Sequence, residues 1–349
     1  MSITYSSLIS IENLFQAWEE FKKGKRKKKD VQVFERHLED NLFDLARKLK
    51  AKTYGHESYQ DFYVNDPKRR HIHKAQVCDR IVHHVLYKYL YGIFDRTFIS
   101  DSYSCRINKG THKAVLRLEK LTTIVSKNYS GDCWVLKLDI KKFFASVDHG
   151  ILKSLIKKKI YDENILWLIL QVIDSYSSSA VEKQNKEVLD HTRTINDVGI
   201  PLGNLTSQIF ANIYLNELDQ FIKHKLRIKY YLRYADDFVI LDQNENILCS
   251  RINSLRQFLK NNLKIELHPE KIILRKLSWG IDFCGYIILP HYLLPRTKTK
   301  IRILKKVLNQ KTSNQALQSY LGYFSHAESY LISQNLQNIF FLKQKFMLK

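Results

Sequence analysis

The chain has 349 residues, with 57 lysines and arginines against 35 aspartates and glutamates, and its formal net charge is +22 at pH 7. Because so large a charge repels itself, it predicts a polyanionic partner and argues against an acidic tail or a typical small-metabolite enzyme. The 44% of hydrophobic and 12% of aromatic residues exclude intrinsic disorder over most of the length.

Helical periodicity dominates the first 60 residues and is interrupted by a basic run from Lys22 to Lys29. This run fits either a solvated loop or a contact with nucleic-acid phosphates. Residues 61–75 are predicted to form a β-hairpin that turns at Asp66-Pro67. An apolar helix over residues 79–95 follows, and WVLKLDI (134–140) has the length and composition of a strand.

The second half of the chain mixes helices with short strands. Because these elements follow no regular βαβ rhythm, the expected fold class is α+β. The predicted elements are helices over 151–160 and 165–176, a polar loop over 177–197, a long amphipathic helix over 205–222, a strand–turn–strand over 230–241, a helix over 247–263, a strand over 283–289 and a basic helical tail over 298–349.

The five cysteines form no CxxC pair, and the first ten residues lack the basic and apolar regions of a signal peptide. We therefore expect free thiols in a reducing cytoplasm. No window of about 18 uncharged apolar residues occurs, so no membrane-spanning helix and no membrane partner are expected.

Aspartates stand at the ends of two apolar, strand-like runs. Asp139 lies at the end of the first, and Asp236-Asp237 lie within RYADDFVIL. Burying an unpaired carboxylate is costly, and a pair of Mg²⁺ ions would explain its presence, because hard cations take oxygen ligands. The alternatives are that Asp236-Asp237 only form a hairpin turn and that Asp139 caps the helix that follows it.

These stretches resemble the motifs of reverse transcriptases, in the expected order from about residue 60 to residue 290. KLDIKKFFASVDH is similar to the first aspartate motif, GIPLGNLTSQIFANIYLNELD to the helix motif, and YADDFVIL to the catalytic box. DPKRRHIHKAQVCDRIVHHVL and DSYSCRINKGTHKAV resemble fingers motifs of the group II intron-like branch, while LKIELHPEKIIL and FCGYIIL resemble the lysine motif and the primer-grip hairpin.

The resemblance implies a right-hand polymerase fold. Its expected parts are a helical, basic N-terminal extension over 1–60, fingers over 61–133, a palm over 134–290 with an inserted loop over 175–198, and a helical thumb over 291–349.

One departure narrows the resemblance. Most reverse transcriptases have a QGxxxSP pattern in the helix motif, whereas this chain reads LGNLTSQ, with Leu202 at the glutamine position and Gln208 at the proline position. This form is similar to the enzymes of diversity-generating retroelements. It implies copying of a template-repeat RNA into cDNA mutated at adenines (mutagenic retrohoming), a small, basic, pentameric accessory protein, and a bacterial cytoplasm, with either a bacterial or a phage gene. The alternatives are a retron or defence-associated reverse transcriptase and a non-catalytic RNA-binding scaffold.

By the resemblance, Asp139, Asp236 and Asp237 would hold two Mg²⁺ ions, and the carbonyl oxygen of Ile140 would complete the coordination. Lys271 matches a lysine that is a candidate general acid for the release of pyrophosphate.

The resemblance also implies a site for the incoming dNTP. Arg69 and Arg70 match fingers residues that clamp its triphosphate, since guanidinium groups pair with phosphates bidentately. Phe144 matches the aromatic steric gate that rejects a 2′-hydroxyl. Leu202 and Gly203 match residues that face the templating pair, and leucine lacks the hydrogen bonds of glutamine, so discrimination should loosen. The alternatives are a solvated basic hairpin for Arg69 and Arg70, a core aromatic residue for Phe144, and a buried helix leucine for Leu202.

Further basic residues are expected to contact the template RNA or the RNA–cDNA duplex. For two of them, Arg80 and Arg106, bracing of the fingers is the alternative. His71 and His73 share one strand face, but no Cys/His cluster has ligand spacing, so no structural zinc is expected. The predicted nucleic-acid contacts are Lys68, Arg80, Arg106, Lys298, Lys300, Arg302, Lys305 and Lys306.

Overall fold

The computed structural model describes residues 3–65, 69–177, 197–309 and 312–347. The predicted mixture of helices and sheets is confirmed. The α-helices are α1 (Tyr5–Leu8), α2 (Ile11–Lys22), α3 (Lys29–Arg36), α4 (Leu38–Lys50), α5 (Val77–Phe94), α6 (Thr111–Val125), α7 (Phe143–Ser146), α8 (His149–Lys157), α9 (Glu163–Asp174), α10 (Leu205–Gln220), α11 (Glu245–Leu263), α12 (Thr297–Asn309), α13 (Asn314–Phe324) and α14 (Tyr330–Met347).

The strands form three antiparallel sheets. The strands are β1 (Gln60–Val64), β2 (Arg70–Lys74), β3 (Trp134–Asp139), β4 (Tyr231–Tyr234), β5 (Asp237–Asp242), β6 (Ile273–Lys276), β7 (Ile281–Phe283), β8 (Tyr286–Leu289) and β9 (Tyr292–Pro295). A two-stranded hairpin pairs β1 with β2, a four-stranded sheet has the order β4-β5-β3-β6, and a three-stranded sheet has the order β7-β8-β9.

The chain divides into two compact units, each built from separate stretches of sequence. The helical unit consists of Met1–Ile99, Ile140–Leu226 and Leu255–Leu267, and the sheet unit consists of Ser100–Asp139, Arg227–Ser254 and His268–Lys349. The fingers, palm and thumb boundaries that the resemblance implies stay predictions.

Helix α10 is the central element of the helical unit. It packs against both α5 and α8, so apolar side chains are buried around its circumference and the prediction of an amphipathic helix is wrong. Even its polar residues Asn212 and Asp219 are buried. The hydroxyl of Tyr214 donates a hydrogen bond to the Leu263 carbonyl over 2.6 Å, which ties the helix to its surroundings.

The basic run forms a loop between two helices of the helical unit. Helix α2 ends at Lys22, residues 23–28 form turns, and α3 begins at Lys29. The Lys25 ammonium donates to the Phe21 carbonyl over 2.7 Å, and Arg26 pairs with Glu35 at 2.8 Å. The predicted interruption of the helices is therefore confirmed, and part of its charge is held by neighbouring groups.

The four-stranded sheet lies at the centre of the sheet unit. Its strand residues Val135, Leu232 and Val239 join a core that also contains Leu118 of α6 and Phe283 of β7. Near-continuous apolar runs in β3 and β5 bury residues on both faces, as in strands that are covered on both sides.

The prediction of one strand over 283–289 is wrong. Strand β7 ends at Phe283, Cys284 and Gly285 form a two-residue turn, and β8 begins at Tyr286. Both turn residues have positive φ, +46° and +96°, as a type I′ hairpin requires. Glycine adopts positive φ without strain. Cysteine is not a typical turn residue, so the sequence at Cys284 did not indicate a turn.

The C-terminal helices α12, α13 and α14 enclose a small core of their own, which confirms the predicted helical tail. Ile303 and Val307 of α12 pack with Leu317 and Phe324 of α13 and with Leu336 of α14. Ser313 precedes helix α13 and caps it, because its hydroxyl accepts a hydrogen bond from the Ala316 N–H. Among the described residues, no helix is long and apolar enough to cross a membrane.

Candidate active site

The turn between β4 and β5 carries a partly buried aspartate at one end of these two strands. The turn residues are Ala235 and Asp236, and Asp237 already belongs to β5, where it pairs with Tyr234. The idea that Asp236 and Asp237 together form the turn is therefore wrong. Ala235 has a φ of +54°, an uncommon conformation for a residue with a Cβ, so the surrounding structure must hold it in place.

Arg233 provides that support and was missed by the sequence analysis. Its side chain is fully buried, and its Nη1 donates a hydrogen bond to the Ala235 carbonyl over 3.0 Å. Its main chain accepts from the Tyr103 N–H and donates to the Asp101 carbonyl. A basic residue inside an apolar strand was a signal that could have identified it, since buried charges need partners.

Asp139 lies directly opposite Asp237 in the antiparallel register of β3 and β5. Opposed residues project from the same face of a sheet, so the two carboxylates lie close together, and the charge of Asp139 helps to raise the pKa of Asp237, after the larger effect of burial. Lys137, two residues before Asp139 on the same face, places its ammonium 4.0 Å from an Asp237 carboxylate oxygen. Lys137 was also missed, although its spacing from Asp139 was visible in the sequence.

Lys271 brings a second positive charge to these carboxylates. Its Nζ lies 2.8 Å from Oδ2 of Asp139. Two main-chain hydrogen bonds anchor the short turn that carries Lys271. The His268 N–H donates to the Asp139 carbonyl over 2.8 Å, and the Lys271 N–H donates to the His268 carbonyl. Asp139 is not a helix cap, because the N-cap of α7 is Lys142 and it makes no side-chain cap bond.

Electrostatics makes the carboxylate group receptive to cations. Burial, together with the charges of Asp237 and Asp139, raises the pKa of Asp236 to about 6. Burial also raises the pKa of Asp237, against the opposing effect of Lys137. Like charges so close together destabilise one another, and divalent cations with oxygen ligands relieve this repulsion. Donor set and charge therefore fit Mg²⁺, and the sheet unit unites Asp139, Asp236, Asp237 and Lys271.

Ile140, Phe144, Leu202 and Gly203 belong to the helical unit. Ile140 forms an isolated bridge with Leu267. Phe143 is buried, while Phe144 is partly exposed and its carbonyl accepts the Ile200 N–H over 2.7 Å. The exposure of Phe144 leaves its ring accessible, and its role as a steric gate stays a prediction.

The hairpin strand β2 is bonded to the Leu202–Gly203 turn. The Leu202 carbonyl accepts the His73 N–H over 3.0 Å, and the Asn204 amide donates to the His73 carbonyl over 2.8 Å. Gly203 has a φ of +108°, and a Cβ on it would lie 2.9 Å from Ile72. Glycine is thus required by both conformation and space.

The predicted phosphate-clamping arginines lie at the start of β2. The Arg69 guanidinium stacks over the Tyr63 ring at 4.1 Å from its centroid, and Arg70 is exposed at the first position of the strand. Lys68 and the predicted turn at Asp66-Pro67 lie outside the described residues.

The other predicted nucleic-acid contacts fall into two groups. Arg80 pairs with Asp30 and lies over Phe21, and Arg106 donates to the Ser102 carbonyl over 3.1 Å, which favours the bracing alternative for both. Lys300 is half-buried on α12. The remaining four line one surface groove along the same helix: Lys298, Arg302, Lys305 and Lys306.

Residues 65–288 match the family model of the reverse transcriptases, which are RNA-dependent DNA polymerases. The chain belongs to the reverse transcriptase family. The matched range includes the aspartates of β3 and of the β4–β5 hairpin, Lys271 and the Leu202–Gly203 turn, so the family prediction made from those motifs is confirmed.

Curated relatives place the chain near proteins encoded by group II introns. The group II intron-encoded protein LtrA of Lactococcus lactis subsp. cremoris is 24% identical over 315 residues, covering 72% of this chain and 50% of the relative. The putative COX1/OXI3 intron 2 protein of Saccharomyces cerevisiae is 24% identical over 285 residues, covering 65% and 31%. Protein YkfC of Escherichia coli K12 is 24% identical over 272 residues, covering 68% and 67%. The chain thus spans half or less of the length of the first two.

Proposed function

We propose that this chain is an RNA-directed DNA polymerase whose catalytic carboxylates are Asp139, Asp236 and Asp237. The observation that carries the proposal is the convergence of these side chains at the end of the four-stranded sheet. Asp139 faces Asp237 across two strands, and Asp236 stands in the adjoining turn. A carboxylate cluster of this kind, in a member of this family, supports phosphoryl transfer.

Asp139, Asp236 and Asp237, with the Ile140 carbonyl that the family resemblance adds, would hold Mg²⁺, and the chemistry supplied by the bound ion would be activation of the primer 3′-hydroxyl and stabilisation of the leaving pyrophosphate. The protein's own share of the reaction is positioning and electrostatics. Arg233 fixes the turn that presents Asp236, and Lys137 and Lys271 limit the repulsion between the carboxylates. The Lys271 ammonium can donate its proton to the leaving pyrophosphate.

In the same proposal, Arg69 and Arg70 clamp the triphosphate of a dNTP and Phe144 rejects its ribo counterpart. The exposed position of Arg70 at the start of β2 and the partial exposure of Phe144 support these assignments. The basic groove of α12 would carry the phosphates of an RNA template or an RNA–cDNA duplex.

We further propose that the enzyme diversifies a target gene by copying a template-repeat RNA into adenine-mutagenised cDNA, with a small, basic, pentameric accessory protein as partner. The LGNLTSQ motif supports this assignment. Leu202 is half-buried, and its carbonyl accepts a hydrogen bond from the His73 N–H, which restrains its main chain. A leucine in that position would fill space beside the nascent base pair but could not form hydrogen bonds with it.

Primer extension on an RNA template with Mg²⁺ tests the polymerase assignment. Wild type is expected to extend the primer, and Asp236→Ala is expected to lose extension while keeping its circular dichroism spectrum. A folded wild type that extends no primer, with or without extract of its host, would support the scaffold alternative.

Sequencing of the cDNA tests the diversification assignment. Leu202→Gln is expected to lower misincorporation opposite template adenines selectively, with Leu205→Gln, on the neighbouring helix turn, as the matched control. An error spectrum that is uniform across the four template bases in wild type would assign the chain to another class of bacterial reverse transcriptase.

A further inference from the structure

The hairpin of β1 and β2 brings three potential metal ligands onto one face. Asp61 of β1 lies directly opposite His73 of β2, and His71 projects from the same side of β2 two residues earlier. An Asp61 carboxylate oxygen lies 2.9 Å from Nδ1 of His73, and the other lies 3.3 Å from Nε2 of His71. One ligand atom from each residue falls within 4.8 Å of the other two.

The surroundings of His73 suit a ligand imidazole. The residue is only 5% exposed, so protein groups surround its ring. The Tyr176 hydroxyl lies 3.0 Å from Nε2 of His73. Because a hydroxyl both donates and accepts, it can hold the ring in the tautomer that turns an unprotonated Nδ1 towards Asp61.

His71 is held from the opposite side. Its ring stacks on Tyr63 with 4.6 Å between centroids and an interplanar angle of 11°, and its centroid lies 4.2 Å from that of His73. Two imidazoles and one carboxylate are thus fixed before any ion arrives. Such pre-orientation by neighbouring groups is typical of metal ligands.

We propose that Asp61, His71 and His73 bind a zinc ion, with water in the fourth position. Two imidazoles with a carboxylate are a ligand set that Zn²⁺ accepts in tetrahedral geometry, whereas Mg²⁺ prefers an all-oxygen shell. Spacing along the sequence did not reveal the site, because Asp61 joins the histidines only through the pairing of the strands.

The ion would fix the register of the hairpin and, through it, the neighbouring turn. His73 is bonded through its main chain to Leu202 and Asn204, so a metal bridge across the hairpin also restrains the Leu202–Gly203 turn. Arg69 and Arg70 are on the same hairpin. The inference concerns a site separate from the carboxylates of the sheet unit, and it does not depend on the proposed function.

Titration of the metal-free, full-length protein with Co²⁺, in excess Mg²⁺ to saturate oxygen-only sites, tests the proposal. We expect one equivalent of Co²⁺ to give the intense visible absorption of tetrahedral cobalt and one equivalent of Zn²⁺ to remove it. His71→Ala and Asp61→Asn should each weaken binding by at least about tenfold.

His224→Ala, which removes an exposed histidine elsewhere in the helical unit, should leave the titration unchanged. The Asp61 side chain is 47% exposed, so Asp61→Asn is expected to fold, and its titration tests the proposal even if His71→Ala does not fold. Absence of the tetrahedral spectrum in wild type, or an equal spectrum in Asp61→Asn, would overturn the proposal and leave two ordinary His–Asp hydrogen bonds.

Discussion

Two lysines, Lys137 and Lys271, lie beside the carboxylates of the sheet unit and differ in their contacts and exposure. Lys271 contacts Asp139 at 2.8 Å, and Lys137 lies 4.0 Å from Asp237 while also donating to the Asp282 carbonyl over 3.0 Å. Lys137 is therefore held by a second contact, whereas Lys271 is the more exposed of the two. This difference favours Lys271 as the residue that moves a proton.

Lys271→Met should separate the counter-charge role from the proton-transfer role. Removing a positive charge leaves the carboxylates more negative, so the Mg²⁺ concentration for half-maximal extension should fall. Loss of a general acid should lower the maximal rate about 100-fold. Single-nucleotide extension rates across a Mg²⁺ series measure both.

Lys276→Met is the matched control, because Lys276 forms an ion pair with Asp132 at 2.7 Å on the same unit. It should change neither quantity. A Lys271→Met enzyme with an unchanged maximal rate would restrict Lys271 to a counter-charge.

Gly203→Ala should destabilise the turn that receives strand β2. The added Cβ would lie 2.9 Å from Ile72 and the φ of +108° would be strained, so we expect a loss of about 1–3 kcal/mol in the free energy of unfolding. Gly92→Ala, in helix α5 with open space around its Cβ, should instead gain up to about 1 kcal/mol. Urea unfolding followed by circular dichroism compares the pair, and equal midpoints would show that the turn tolerates a side chain.

Three elements of the helical unit converge on one carboxylate. Asp30 of α3 pairs with Lys74 of β2 at 2.8 Å and also with Arg80 of α5. Burial opposes ionisation of Asp30, but the hydrogen bonds from Lys74 and Arg80 outweigh it and lower its pKa. The basic loop is thus flanked by an ion-pair network that connects helix, strand and helix.

The Asp30 network should stabilise the fold at neutral pH and fail in acid. A group with a lowered pKa contributes stability above its ordinary pKa, and that stability is lost as the pH falls through the lowered value. Asp30→Asn should therefore cost about 1 kcal/mol in the free energy of unfolding at pH 7, and the difference from wild type should shrink below pH 3.8.

Asp44→Asn provides the comparison, since Asp44 also pairs with two basic residues, Arg47 and Lys48, but on the surface. Its effect on unfolding should be much smaller at both pH values. Urea titrations at pH 7 and pH 3 measure the four differences, and a pH-independent effect of Asp30→Asn would contradict the argument.

At the scale of the whole molecule, the basic residues behind the net charge of +22 differ in their surroundings. Some of this charge is paired with carboxylates, at the largely buried Arg80 and at the exposed Arg26. Some is concentrated in the groove of α12. In the basic loop, Lys23, Lys27 and Lys28 are exposed.

Neutralising these three loop lysines to glutamine should weaken RNA binding and flatten its salt dependence. If each contacts a phosphate, the slope of log affinity against log salt should fall by about 2. Filter binding or fluorescence anisotropy over a salt series measures the slope. The exposed lysines 157–159 of the helical unit, changed in the same way, control for net charge, and equal slopes in the two triple variants would exclude a specific contact by the loop.

Local pattern predicted most of the helices and strands, because apolar periodicity is a property of the sequence itself. It also singled out Asp139 and Asp236-Asp237, but their catalytic role rests on the family resemblance and stays a prediction. Features that depend on partners distant in sequence were not predictable. The all-round burial of α10 arises from packing against two helices, and the pairing of Asp61 with His73 arises from strand register. The buried Arg233 was visible as a residue, but its acceptor at Ala235 depends on the turn's geometry.

The register that places Asp139 opposite Asp237 has a consequence for the evolution of this chain. Like charges directly opposite each other weaken a strand pair, so this pair costs the sheet stability at the position proposed to bind metal. A screen that rewards thermal resistance alone would favour asparagine or threonine at either position. The two aspartates can persist only where selection acts on what the protein makes as well as on how firmly it folds.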